Sequence, residues 1–320
     1  MASVEFAESI LLIAGCVVLA GLLGDVARRG AWRGLFRFED GRWGVETLAV
    51  ADFRRGESVP AGDGDAAVAA NSYAGLSIVE PPRPFRLGDV LLPLIWFLFT
   101  PLIVTGLLTR PDGSGAGDVS TIPPRVRIAS QLVTQAMTLL VTLFVARRAM
   151  RGDWAAWGLR RGGVGRDAAW AVAGYLACWP AVWGVAMLTR TVVQRIAPHV
   201  SLPEHTAVEY LRSPETTRIE VGLVVLGAAL LAPVMEELLF RGVLQNAAAN
   251  AARSTWAGIV VSALMFGLIH AELHHVPALM VFGAVLGYAY VRSGSLWLPV
   301  LMHVVFNVKT LVFLWWSPAG

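Results

Sequence analysis

The sequence predicts an all-α, polytopic integral membrane protein with about eight transmembrane helices. Three observations carry this. Of 320 residues, 56% are hydrophobic and only 15% charged, against about 25% charged in ordinary soluble domains. The mean hydropathy is +0.60, which suits a surface facing lipid and not one facing water. Finally, the apolar residues gather into runs near the length of about 20 residues that crosses a bilayer.

Eight such runs are found, at roughly 6–26, 88–108, 128–146, 168–189, 219–240, 255–272, 276–292 and 295–316. The fifth is interrupted by charge and the seventh is short. The first is preceded by Glu5 and Glu8 and followed by Arg28 and Arg29. A signal peptide has basic residues ahead of its apolar core, so this run reads as a retained helix. Arg28, Arg29, Arg33 and Arg37 follow the first run, and Arg147, Arg148, Arg151, Arg160 and Arg161 the third. The positive-inside rule places those loops in the cytoplasm and both termini outside. Two parts follow: residues 1–218, with helices one to four and a cytoplasmic loop at about 27–87, and residues 219–320, a core of helices five to eight.

The net charge of +3 and pI of about 9.2 arise from these loop arginines. No basic stripe with interleaved aromatics suggests nucleic acid as a partner. Trp32, Trp43, Trp154 and Trp157 stand among arginines and read as interfacial anchors. Cys16 and Cys178 lie in apolar runs, in no metal or redox spacing, and read as small buried hydrophobes. Neither internal repeats nor an HExxH helix is present. Gly62-Asp63-Gly64-Asp65 matches the GxGD pattern of aspartyl proteases but lies in the polar loop with no second aspartate in a span. Gly113-Ser114-Gly115 and Gly294-Ser295 are read as loop punctuation. Gly162, Gly163 and Gly165 follow no strand and form no phosphate loop.

One constellation survives. A charged residue at mid-bilayer costs about 2.5–3.5 kcal/mol on insertion scales. Yet the fifth run carries Glu236, Glu237 and Arg241, the sixth Phe266 and His270, and the eighth His303 and Asn307. Glu237 and Arg241 are four apart, acid first, the favoured orientation for an ion pair on one helix face. Glu236 lies about 100° round the helix and stays free of that pair. Phe266 shares a face with His270, and His303 with Asn307. With a hairpin turning near residue 252, Glu236 and His270 lie about 24 and 27 Å from the turn. Those two sit at nearly one level, and His303 and Asn307 about one or two turns from it. Singly, each residue would serve as interhelical glue; together, at one depth, they read as a site. His274 and His275, between runs six and seven, read as interfacial.

The EExxxR run (Glu236, Glu237, Arg241), the FxxxH pair (Phe266, His270) and the HxxxN pair (His303, Asn307) resemble the three motifs of the CPBP family. That family comprises CAAX prenyl endopeptidases and bacteriocin-processing and self-immunity proteins, and is also called Abi. The resemblance covers about residues 219–316 and implies an eight-helix intramembrane endopeptidase. In it Glu236 would be the general base for a water held with His270, while His303 and Asn307 stabilise the oxyanion. Glu237, Arg241 and Phe266 would support the site. Amide hydrolysis needs such a base and such donors.

No cofactor is expected in this reading. A zinc-dependent version, with Glu236, His270 and His303 as ligands, is the alternative, disfavoured by an asparagine beside one histidine and an arginine beside the acids. A scaffold or transporter is the rival class, though repeated halves and broken helices are not evident. The arginine-rich, lysine-poor composition suggests a GC-rich bacterial genome. The expected partners are therefore the lipid bilayer and a bacterial peptide or membrane-protein substrate, not a prenylated one. The expected location is the bacterial cytoplasmic membrane, crossed many times.

Overall fold

The computed structural model describes residues 2–28, 85–108, 124–160, 163–198, 216–270 and 274–316. Among these residues there are eight helices and no strand: α1 Ala2–Arg28, α2 Leu87–Leu108, α3 Pro124–Ala149, α4 Val164–Ile196, α5 Arg218–Ala252, α6 Thr255–Leu268, α7 Val276–Ser293 and α8 Trp297–Trp316. Each falls on one of the eight predicted runs. Six are long and apolar enough to cross a membrane; α6 and the Trp297–Phe313 part of α8 are shorter apolar stretches. The chain is thus an all-α, multi-pass membrane protein. The Gly62–Asp65 match, Trp32, Trp43, the Gly113–Gly115 stretch and nearly all of the 27–87 loop lie outside the described residues.

Helix α5 is the centre of the bundle. It packs on α2, α3, α6, α7 and α8, while α1 packs chiefly on α4, which in turn covers α7 and α8. Outward residues such as Leu102, Leu140, Phe144, Leu188 and Ile196 are exposed and apolar, as a lipid-facing surface requires. Cys178 is buried as expected, whereas Cys16 is exposed on α1 and belongs to that apolar surface.

The fifth run was expected to end at residue 240, but the helix continues to Ala252. The polar residues there are buried and partnered, so they do not mark the membrane's edge. Two π-helical segments, Gly227–Leu231 and Leu238–Gln245, interrupt α5 on either side of Ala232–Glu237. A π segment widens the helix and shifts its backbone pairing, and in lipid displaced carbonyls need other donors. Side chains provide them. Ser262 Oγ donates to Phe240 O at 3.0 Å, Asn246 Nδ2 to Arg241 O at 3.2 Å, and Trp157 Nε1 to Gly242 O at 2.9 Å.

Trp157 therefore corrects the sequence reading. It is fully buried and is a core residue, not an interfacial anchor. Its ring lies so close to Gly242 that a Cβ there would stand 2.5 Å from Cζ2. Trp154 packs against it with the rings tilted by 49° and their centroids 5.8 Å apart.

Tight turns set the depth of the remaining helices. Arg253, in the left-handed region at φ 51°, ends α5, and Ser254 Oγ caps α6 by accepting from Ala257 N at 3.3 Å. Helix α6 stops at Leu268, four residues before the expected 272. His270 N donates to Gly267 O at 3.2 Å, closing a tight turn. A Cβ on Gly267 would lie 2.9 Å from Val276 O, so only glycine lets α7 return so closely. His275 stands at the N-terminal boundary of α7, its ring 3.9 Å from that of His274. His274 is buried, which revises its interfacial reading. Gly294, at φ 60°, ends α7. Ser295, read as punctuation, also donates to the buried Asp167 of α4 at 2.7 Å.

The Gly242–Trp157 contact yields a first prediction. Gly242→Ala forces the indole away and breaks its bond to the widened turn, an overpacking effect of about 1–3 kcal/mol. The melting temperature of the detergent-purified protein should fall, whereas Gly184→Ala, where the added methyl meets nothing, should leave it unchanged.

Candidate active site

The two adjacent acids of α5 have different surroundings. Glu237 is completely buried, and its Oε1 accepts from Arg241 Nη1 at 2.8 Å and lies 2.9 Å from His303 Nδ1. The Glu237–Arg241 pair matches the expected i, i+4 brace; the bond to His303 on α8 was not foreseen. Arg241 is buried too. Its Nη2 donates to Gly283 O on α7 at 3.1 Å, and its guanidinium carbon stands 4.4 Å from the centre of the Phe266 ring. One carboxylate and one arginine thereby tie α5 to α6, α7 and α8. The two charges meet in a charge-assisted bond, while Glu237 Oε2 and Arg241 Nε have no hydrogen-bond partner within the protein.

Glu236 is held far less. Its side chain is 12% exposed, its Oε2 lies 3.9 Å from His303 Nε2, and that oxygen has no hydrogen-bond partner within the protein. Because a carboxylate only accepts, the Glu237 contact places a proton on His303 Nδ1 and leaves Nε2 facing Glu236. His303 therefore bridges the two acids.

Phe266 is the hub of the pocket wall. Its ring contacts Phe240 at 5.7 Å, His270 at 4.9 Å and His303 at 5.5 Å. His270 lies just beyond the end of α6, and its Nδ1 is 2.7 Å from Phe266 O. A carbonyl only accepts, so this nitrogen is the donor, and Nε2 keeps a lone pair. Asn307 is placed differently. Its Nδ2 donates to Ala228 O at 2.7 Å, on the first π segment of α5, about two turns from Glu236. Thus Glu236, Glu237, Arg241, Phe266 and His303 form one contact cluster, His270 joins it through Phe266, and Asn307 is drawn toward the widened turn.

With Nδ1 of both histidines anchored by an acceptor, each imidazole turns its Nε2 edge away from that anchor, the orientation that also suits metal ligation. However, among the described residues no three His, Cys, Asp or Glu side chains form a group that could hold a metal ion. The set of Glu236, His270 and His303 that the alternative zinc reading names is not such a group as it stands.

Three further residues complete the site. Phe282 packs on His303 at 5.7 Å and on Phe306 at 4.4 Å. Gly283 and Gly287 form two rungs with α5, since Gln245 Nε2 donates to Gly287 O at 3.0 Å just as Arg241 donates to Gly283 O. A Cβ at Gly287 would lie 2.5 Å from Gln245 Oε1. The GxxxG spacing of close-packed membrane helices was the available sequence signal; Phe282 had none.

Arg241→Ala should leave Glu237 buried without its cation, a loss of about 3–5 kcal/mol. The expected result is lower yield and an earlier melt in detergent. Arg241→Lys, which keeps the charge but loses the fork reaching both Glu237 and Gly283 O, should fall between.

Comparison with known proteins places these residues in a wider group. Residues 219–309 match the family of type II CAAX prenyl endopeptidase Rce1-like proteins. The chain is 26% identical over 92 residues to a protein of Bacillus subtilis (strain 168) named "Putative membrane peptidase YdiL", covering 29% of this chain and 37% of that protein. It is 33% identical over 98 residues to an uncharacterized 24.3 kDa protein of Escherichia coli, covering 29% and 45%. The chain spans less than half the length of these curated relatives. No solved structure matches it. Over residues 219–309, the stretch holding Glu236, His270 and His303, the chain is similar to the Rce1-like CAAX endopeptidases, the group to which its three motifs point.

Proposed function

We propose that the protein is an intramembrane endopeptidase of the CAAX-protease type, cleaving a membrane-associated peptide or protein with water activated by Glu236. The observation that carries this is the asymmetry of the acid pair. Both acids leave Oε2 without a hydrogen bond, but Glu237 is fixed through Oε1 by Arg241 and His303, whereas Glu236 has only the 3.9 Å approach of His303 Nε2. A brace and a base are thus separated on adjacent residues. The family match over the same stretch supports the reaction class. The bacterial relatives and the lysine-poor composition support the cytoplasmic membrane of a bacterium and an unprenylated substrate.

In this mechanism a water donates one hydrogen to His270 Nε2 and the other to Glu236. Glu236 takes its proton as the oxygen attacks the substrate carbonyl carbon. The oxyanion receives hydrogen bonds from His303 Nε2, the ring being an imidazolium between the two acids throughout the reaction, and from the second N–H of Asn307. The first N–H of Asn307 orients its amide on Ala228 O. Glu236 then returns the proton to the leaving nitrogen, the C–N bond breaks, and a carboxylic acid and an amine are released, which become carboxylate and ammonium when the acid's proton passes to the amine. Electrostatic stabilisation of this kind is usually the largest contribution to acyl transfer.

The test is cleavage of a peptide library by the protein reconstituted in vesicles. Glu236→Gln should lower kcat by about 100-fold or more while the protein still folds. Asn307→Ala should cost about 100-fold or more as a lost oxyanion donor. A chelator such as phenanthroline should leave the rate unchanged; inhibition reversed by zinc would replace the glutamate mechanism with the metal one. Full activity in folded Glu236→Gln would exclude Glu236 as base. A folded wild-type protein that cleaves nothing would move the chain to the scaffold or transporter class.

A further inference from the structure

Hydrolysis inside a membrane consumes water, and a second polar feature lies beside the site. Helix α3 carries Ser130, Thr134, Gln135, Thr138 and Thr142. All are at least nine-tenths buried, as is Thr100 of the adjoining α2. Gln135, Thr138 and Thr142 lie three and four residues apart, which puts them on one helix face. Thr134 and Thr142 bond their hydroxyls to the carbonyls of Ser130 and Thr138, at 2.7 and 2.8 Å. By contrast, Thr100 Oγ1, Gln135 Oε1 and Thr138 Oγ1 have no hydrogen-bond partner within the protein. Polar groups buried in this way inside a membrane bundle ordinarily face one another or water.

The stripe follows α5. Ile128 of α3 and Val224 of α5 share one apolar cluster, and a Cβ on Gly227 would lie 3.5 Å from Gln135 Oε1. The two helices therefore run parallel in matched register. From Ile128 to Thr142 is about 21 Å along α3, and from Val224 to Glu236 about 18 Å along α5. The hydroxyls thus end level with Glu236. At the other end, where both helices begin, Arg125 and Glu220 pair at the exposed surface at 2.8 Å, so that end is polar as well.

We propose that this α3 stripe is a water track leading from the end of the bundle near Arg125 to Glu236, with Thr138 and Gln135 as its positioning residues. The track binds water by hydroxyl and amide acceptors and donors, and its role as supply of the hydrolytic water rests on the protease reading above. Each bound water would bridge partners along the stripe, as buried waters do.

Two measurements test it. In a full-length background with Cys16 and Cys178 replaced by alanine, Thr138→Cys and Gln135→Cys should react with a hydrophilic methanethiosulfonate reagent. Their rates should exceed that of Leu140→Cys, a lipid-facing position on the same helix, by about tenfold, because the reacting thiolate needs water. Equal rates would overturn the track. In the cleavage assay, Thr138→Val should lower kcat about tenfold with KM unchanged, and Thr138→Ser should restore it. Fast labelling with normal kcat in Thr138→Val would overturn the supply role. Failure of the protease reading would appear separately, as a wild-type protein that cleaves nothing while the labelling contrast persists.

Discussion

A carboxylate in the apolar interior of a bilayer is stable only with partners that replace its hydration, and the burial of Glu237 imposes that requirement on the whole C-terminal half. Its oxygen is met by Arg241 from the same helix and by His303 from α8. Arg241 must in turn be satisfied, and it reaches the Gly283 carbonyl of α7 and the face of Phe266 on α6. Four helices are thus fixed in position by one ion pair. Glu236, Phe282 and His270 take their places around it because His303 and Phe266 are held.

The π segments of α5 serve the same arrangement. They flank Ala232–Glu237, the stretch with both acids, and they release backbone carbonyls that side chains from elsewhere in the bundle and from α5 itself then occupy. Asn307 binds the first widening at Ala228, and Trp157, Ser262 and Asn246 bind the second. Such widenings are rare and frequent at functional sites. Here they let one helix run from Arg218 to Ala252 and present polar backbone atoms to several neighbours.

Much of this was legible in the residues themselves. Apolar runs placed all eight helices, and spacing alone paired Glu237 with Arg241 and left Glu236 aside. The equal distances from the turn near residue 252 put Glu236 and the Phe266–His270 pair at one depth. What was missed depended on contacts between helices, which spacing within a helix does not encode. The His303–Glu237 bond, the attachment of Asn307 to Ala228 and the π segments are of this kind. Trp157 was misread because arginines next to a tryptophan look the same in sequence whether the ring faces headgroups or a glycine. His270 was placed inside a helix that ends two residues earlier, since the stop is set by the close return of α7 at Gly267.

The division of the two acids into brace and base requires Glu237, not Glu236, to be the partner of Arg241. A double-mutant cycle measured by melting in detergent tests this most directly. Glu237→Gln and Arg241→Gln should show a coupling of about 0.5–3 kcal/mol, the range for residues in direct contact. Glu236→Gln and Arg241→Gln should be close to additive. Strong coupling of Arg241 to Glu236, with additivity toward Glu237, would contradict the division into brace and base.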